Sequence, residues 1–151
     1  MRPSVPSPQH DQRRSVPAPS RIELNILSDP ANLHSAREAV EQLCIANGFD
    51  ARSVGEVGLC VNEALANVMR HAYRGETEKP IRIESSIEAN QLTIRIRDWG
   101  TGENPAEVAD EHHDPLKPGG LGLVCMRELM DETVYTPQPD GMLLTMVRRK
   151  V

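Results

Sequence analysis

Residues 58–73 read Gly58-Leu59-Cys60-Val61-Asn62-Glu63-Ala64-Leu65-Ala66-Asn67-Val68-Met69-Arg70-His71-Ala72-Tyr73. Val54, Val57, Val61, Leu65, Val68 and Ala72 recur at helical spacing through and just before this stretch, so one side of a helix is apolar and seeks a core. Glu63 and Asn67 stand one turn apart and fall nearly opposite that stripe. Such a pair is either a site or a solvated polar face, and the flanking sequence decides between them.

Upstream, Asp50 or Ser53 supplies the helix cap; downstream, Arg74-Gly75-Glu76 opens a polar loop, so the helix ends near Tyr73. Before it, Ile22, Leu24 and Ile26 alternate over 21–27 and predict a strand. Ser28-Asp29-Pro30 then starts a helix carrying Leu33, Val40, Leu43 and Cys44 on one stripe, stopped at Asn47-Gly48. After it, Ile81, Ile83, Ser85 and Ile87 alternate, as do Leu92, Ile94, Ile96 and Asp98, and the connection Glu88-Ala89-Asn90-Gln91 makes them a hairpin with one apolar face. A polar run from Glu103 to Gly119, with Pro105, Pro115 and Pro118, reads as a lid or binding loop. A helix from about Leu121 to Met130 offers Leu123, Met126, Leu129 and Met130 to the core; a short strand begins at Val134, Pro137 to Gly141 turn, and 142–148 form a final strand. Two successive helices between strands, followed by hairpins, predict an α/β two-layer sandwich with helices packed on one face of a mixed, mostly antiparallel sheet, rather than a doubly wound parallel sheet.

Composition narrows the function. In 151 residues, 38% are hydrophobic and 26% charged, which fits one globular domain, here assigned to 21–151. The net charge of -5 gives no basic footprint for direct nucleic-acid binding, and Arg148-Arg149-Lys150 reads as a solubilising strand end. Cys44, Cys60 and Cys125 are odd in number, widely spaced and without a Cys-x-x-Cys pair, so they read as reduced core thiols of a cytoplasmic protein. No apolar run is long enough to span a membrane, and the N-terminus lacks the apolar segment of a signal peptide. Residues 1–20, with Pro3, Pro6, Pro8, Pro17 and Pro19 among Ser, Gln and Arg, predict a disordered tail.

Several chemistries are then excluded. No phosphate loop ending in Gly-Lys-Ser/Thr is present, and Pro105 stands where a dinucleotide fingerprint needs its third glycine. His112-His113 with Asp110, Glu111 and Asp114 lacks helical ligand spacing and reads as a hydrophilic loop tip. What remains is the Glu63-x-x-x-Asn67 pair, the turn Asp98-Trp99-Gly100-Thr101-Gly102 after a strand, and Gly119-Gly120-Leu121-Gly122 opening a helix. Each suits a nucleotide. Glycines allow close backbone approach, and a glycine-rich helix start offers free amides to phosphate. An Asn oxygen is a hard ligand for magnesium, a carboxylate one turn away can deprotonate a hydroxyl, and an Asp at a strand end can accept from an exocyclic amine.

Asn62 to Tyr73, Asp98 to Gly102 and Gly120-Leu121-Gly122-Leu123 together resemble the GHKL ATPase superfamily with its Bergerat fold, and more closely its branch of anti-sigma factor serine/threonine kinases. Leu129-Met130-Asp131-Glu132 and the ending Gly141 to Lys150 resemble that branch as well. The resemblance covers roughly residues 21–151 and implies ATP and Mg2+ as cofactors. It implies Asn67 as the magnesium ligand, Glu63 as general base for a partner's serine or threonine, and Asp98 as acceptor for the adenine amine. By the same resemblance Gly100 and Gly102 shape the adenine pocket, Gly120 and Gly122 let the lid and helix start wrap the phosphates, and residues 103–119 are the ATP lid. The implied partners are a sigma factor and an anti-anti-sigma antagonist, with a homodimer as the assembly. Two departures stand out: the lid is acidic and His-bearing at Asp110 to Asp114, and Met142 stands where relatives often have Thr.

Some neighbouring residues keep two readings. Arg70 contacts phosphate or partner, or is a surface charge. His71 reads as a packing or helix-end residue, and Arg127 as a surface residue. Trp99 either flanks the adenine or closes the hydrophobic layer beneath it. At the level of function the alternatives to the kinase are an ATP-binding anti-sigma or regulatory module without phosphotransfer, a histidine-kinase catalytic domain, for which there is no room for a dimerisation helix pair, and a scaffold without nucleotide.

Overall fold

The computed structural model describes residues 18–102 and 120–150. Strand β1 (Arg21–Leu27) leads through a single 3-10 turn at Pro30–Asn32 into helix α1 (Leu33–Ala46), and helix α2 (Ala51–Asn67) follows directly. Strands β2 (Pro80–Glu88) and β3 (Gln91–Asp98) come next, then helix α3 (Gly120–Leu129) and strands β4 (Glu132–Gln138) and β5 (Gly141–Arg149). The sheet order is β1-β2-β3-β5-β4. All four ladders between described strands are antiparallel, so the mixed sheet allowed by the sequence reading is here uniformly antiparallel.

Local chemistry accounts for the element boundaries. The Asp29 carboxylate accepts from Ala31 N at 2.9 Å, and Asp50 accepts from Ser53 N at 2.7 Å, so each carboxylate serves an otherwise unpaired first-turn amide. That bond holds the Asp50 carboxyl below its ordinary range. The β2–β3 connection is a tight turn with Ala89 at φ 47 and Asn90 at φ 65. Both central residues lie in the left-handed region, as a hairpin of this twist requires, although Ala89 carries a Cβ there. Strand β4 begins at Glu132, two residues before the expected Val134, and the chain reverses between Gln138 and Gly141.

The alternation of β2 and β3 resolves into a buried and an open face. Ile81, Ile83, Leu92, Ile94, Ile96, Leu144 and Met146 join Val40, Val57, Val61 and Leu65 of the helices in one core, with Met126 and Met130 contributed from the region of α3. Cys44 and Cys60 are core residues, as expected, and burial pushes their thiols up to about 11 and about 12. The opposite face carries exposed ion pairs such as Arg21–Glu84 at 3.9 Å and Arg82–Glu23 at 3.7 Å, which add little stability. Pro19 and Ser20, placed in the tail by sequence, accept hydrogen bonds from Asn47 Nδ2 at 2.8 Å and Ile87 N at 2.7 Å.

A one-faced sheet predicts an asymmetric response to truncation. Ile83→Ala, at a fully buried position, should cost about 2–5 kcal/mol in urea denaturation. Val134→Ala, 54% exposed on the same sheet, should stay within about 0.5 kcal/mol. Equal losses would show that both faces are covered.

Candidate functional site

Helix α2 does not run straight to Tyr73. After Asn67 the chain forms one π-helical turn, Val68–Ala72, a rare widening associated with functional sites. Asn67 itself is only 6% exposed. It lines a pocket together with Ala64, Val68 and Ala72, so it sits on the inner side of the helix, not opposite the apolar stripe as the sequence reading had it. The cause is that Cys60, Ala64 and Met69 are buried too: the apolar sector is far wider than the stripe of large residues, and Asn67 is drawn in with it. Its Oδ1 accepts from Arg70 Nη2 at 3.2 Å.

The pocket's other wall is the end of β3. Asp98 is 4% exposed; its Oδ1 accepts from Gly100 N at 2.9 Å, and the Met142 N–H adds a second bond. Burial raises its carboxyl above the ordinary 3.8, and the two amides and nearby Arg97 offset this only in part. Arg97 donates to the Asp98 carbonyl and, through Nη2, to Asp140 Oδ1 at 2.5 Å, fastening the turn to the β4–β5 hairpin. Asp98 is thus a buried carboxyl in the pocket wall.

The glycines explain how the two walls meet. A Cβ at Gly100 would stand 2.5 Å from the Ala72 carbonyl oxygen, and one at Gly102 would stand 3.0 Å from Ala72 Cα. Thr101 N donates to that same carbonyl at 3.3 Å. Gly100 and Gly102 therefore let the turn lie directly on the π-helical turn. Gly141, at φ +144, is required for a different reason: a Cβ there would run into the Asp98 carbonyl and Arg97.

Four of the predicted site residues, Asn67, Asp98, Gly100 and Gly102, thus line one pocket, closed on its apolar side by Ile96, Tyr135 and Leu144. Glu63 lies one turn up α2 outside that lining, half-buried and without a hydrogen-bond or ion-pair partner among the described residues. Gly120 and Gly122 fall in the first turn of α3, while residues 103–119, including His112 and His113, lie outside the described residues. Among the described residues no cluster of His, Cys, Asp and Glu is arranged to hold a metal.

His71 stands in the last helical turn, the helix-end role that is one of its two readings, and borders the pocket; burial, then the charge of Arg70, lowers its pKa from the ordinary value. The Trp99 ring lies beneath the guanidiniums of Arg97, 4.6 Å from the centroid, and Arg82, 5.7 Å away. Arg127 is exposed on α3, as expected. Tyr73, Tyr135 and Gly141 were not singled out as site residues. Of these, only Asp140-Gly141 carried a sequence signal, as a hairpin-turn dipeptide.

Comparison with known proteins assigns this fold to a class of ATPase domains. Residues 26–148 match the histidine kinase-like ATPase domain family, and the chain belongs to that family. It is 27% identical over 121 residues to the serine-protein kinase RsbW of Listeria innocua serovar 6a, covering 74% of this chain and 76% of that one. It is 31% identical over 88 residues to the anti-sigma F factor of Halalkalibacterium halodurans, covering 56% and 60%. The crystal structure of the RsbU and RsbW domains of a Mycobacterium tuberculosis protein superposes with a TM-score of 0.66 at 13% identity, over 87% of this chain and 33% of that one. This chain therefore spans about a third of that structure, and the likeness is one of fold. No helix among the described residues is long and apolar enough to cross a membrane.

The carboxyl of Asp98 should titrate above 3.8 in the free protein, measured by carboxyl 13C NMR, and Arg97→Met should move it higher still. A carboxyl whose folded pKa exceeds its unfolded one binds more protons when folded. Its stabilising contribution is present at low pH and is lost as pH rises from 3.8 through the raised value. A midpoint at or below 3.8 would mean that the pocket leaves Asp98 solvated.

Proposed function

We propose that this protein is an ATP- and magnesium-dependent serine/threonine protein kinase that serves as an anti-sigma factor, sequestering a sigma factor and phosphorylating a serine of an anti-anti-sigma antagonist. The observation that carries the nucleotide part is the buried Asp98 carboxylate facing the same pocket as Asn67. An acceptor in an apolar, glycine-floored pocket suits a base with an exocyclic amine, and specificity comes from the cost of leaving that acceptor unpaired. The kinase and sigma-factor parts draw support from the relatives named serine-protein kinase and anti-sigma F factor.

In this reading the adenine lies against Asp98, Gly100 and Gly102, and the phosphates run toward Asn67 and the start of α3 at Gly120 and Gly122. Asn67 fits a magnesium ion as a hard oxygen donor, since among the described residues its Oδ1 is held only by the 3.2 Å bond from Arg70. Magnesium, when bound, neutralises phosphate charge. Glu63, without a partner among the described residues, takes the proton from the acceptor serine. The serine oxygen then bonds to the γ-phosphorus while the bond from that phosphorus to the β–γ bridging oxygen breaks, leaving ADP. Phosphate on the antagonist adds charge to a close interface and disfavours it by repulsion and desolvation. Residues 21–151 act as one ATP-binding domain with residues 103–119 as its lid, in the cytoplasm and as a homodimer.

The second reading is a binding module that holds ATP and a partner without phosphotransfer; the position of Glu63 outside the pocket lining is the observation in its favour. Transfer of label from γ-32P-ATP to the antagonist separates the two. Glu63→Gln should reduce transfer by about 100-fold or more while ADP affinity stays within about twofold. Full transfer by the variant would remove Glu63 as the base, and no transfer by the wild-type protein to any cognate antagonist would leave the binding module.

A further inference from the structure

The hydroxyl of Tyr73 has no place in the chemistry above, yet it makes two hydrogen bonds to backbone groups of two different segments. Tyr73 is 5% exposed. Its hydroxyl accepts from the backbone N–H of Trp99 at 2.8 Å and donates to the carbonyl of Pro80 at 2.5 Å. Trp99 immediately follows Asp98, Pro80 opens β2, and Tyr73 closes the π-helical turn through a bond from its own N–H to Val68 O at 3.0 Å. One oxygen therefore joins the end of α2, the start of β2 and the turn after β3.

The geometry points to Tyr73 as a positioning residue for the nucleotide: its hydroxyl fixes where the Asp98 carboxylate stands relative to the π-helical turn that follows Asn67. Other restraints leave this task open. Arg97 holds the same turn toward the β4–β5 hairpin, and Thr101 N reaches Ala72 O at a longer 3.3 Å. Only the Tyr73 hydroxyl bonds the backbone between Asp98 and Gly100 to the helix side of the pocket among the described residues. A phenylalanine would keep the buried ring and leave the Trp99 N–H without a partner, and a buried unpaired amide is relieved by moving the turn toward water. The adenine and metal-proximal ends of the site are thus set in register by a residue that touches neither.

This inference rests on the reading of Asp98 as the base acceptor, and the test separates the two. ADP without magnesium is titrated calorimetrically into wild-type protein, Tyr73→Phe and Asp98→Asn, well below the unfolding midpoint of each. Tyr73→Phe should bind ADP about tenfold more weakly, and its Trp99 amide should exchange with deuterium at least about tenfold faster than in wild type. Asp98→Asn binding ADP as wild type does would overturn the base-acceptor reading. Asp98→Asn losing ADP while Tyr73→Phe keeps wild-type affinity would overturn the positioning role, even if Tyr73→Phe unfolds at lower temperature. Should Tyr73→Phe fail to fold, exchange in the wild-type protein decides: a Trp99 amide protected like the β3 core supports the role, and one exchanging like an open loop refutes it.

Discussion

The contact on which the rest depends is the seam between the end of α2 and the turn after β3. Here backbone lies on backbone: Gly100 and Gly102 have no Cβ to hold the strands of chain apart, and Ala72 presents its carbonyl to Thr101. Such an approach is open only to glycine on one side and a small residue on the other. It brings a helix residue, Asn67, and a sheet residue, Asp98, to one pocket although they are far apart in sequence. The cost is a carboxyl placed where burial raises its pKa, partly offset by two backbone amides and Arg97. Burying an acceptor with spare capacity is unfavourable for the free protein, and a bound donor relieves it.

Much of this was legible in the sequence because periodicity is a direct record of burial. Ile81, Ile83 and Ser85 alternate and face the core; from β3, Ile96 pairs with Ile83, Ile94 with Ser85 and Asp98 with Ile81. The stripe from Val54 to Leu65 gave α2, and the spacing of Asp98, Gly100 and Gly102 after a strand gave one wall of the pocket. The inner placement of Asn67 was hidden because small residues are neutral in such a count. Cys60 and Ala64 are buried yet are not counted in the apolar stripe of Val54, Val57, Val61, Leu65, Val68 and Ala72. The π-helical turn had no composition signal. Trp99 was recoverable in principle: with Asp98 facing the core, the next side chain of an extended strand points to the open face. Tyr73 read as a helix end because its hydroxyl's partners are brought together only by the fold.

These features give the candidate site two kinds of component. Asp98, the glycine turn and the π-helical turn are held by hydrogen bonds within the domain, independent of a ligand. Glu63 is different, standing half-buried beside the pocket with no hydrogen-bond or ion-pair partner among the described residues. In the proposed reading, recognition of the base and chemistry on a partner are separable, the first built into the seam and the second at the half-buried Glu63 of α2.

The central claim is that the Asp98–Gly102 turn and the α2 terminus form one adenine-nucleotide pocket. A crystal structure with a non-hydrolysable ATP analogue tests it most directly. The account predicts the adenine amine within hydrogen-bond distance of the Asp98 carboxylate, with the phosphates directed past Asn67. A nucleotide bound elsewhere, or an adenine whose amine faces away from Asp98, would contradict it.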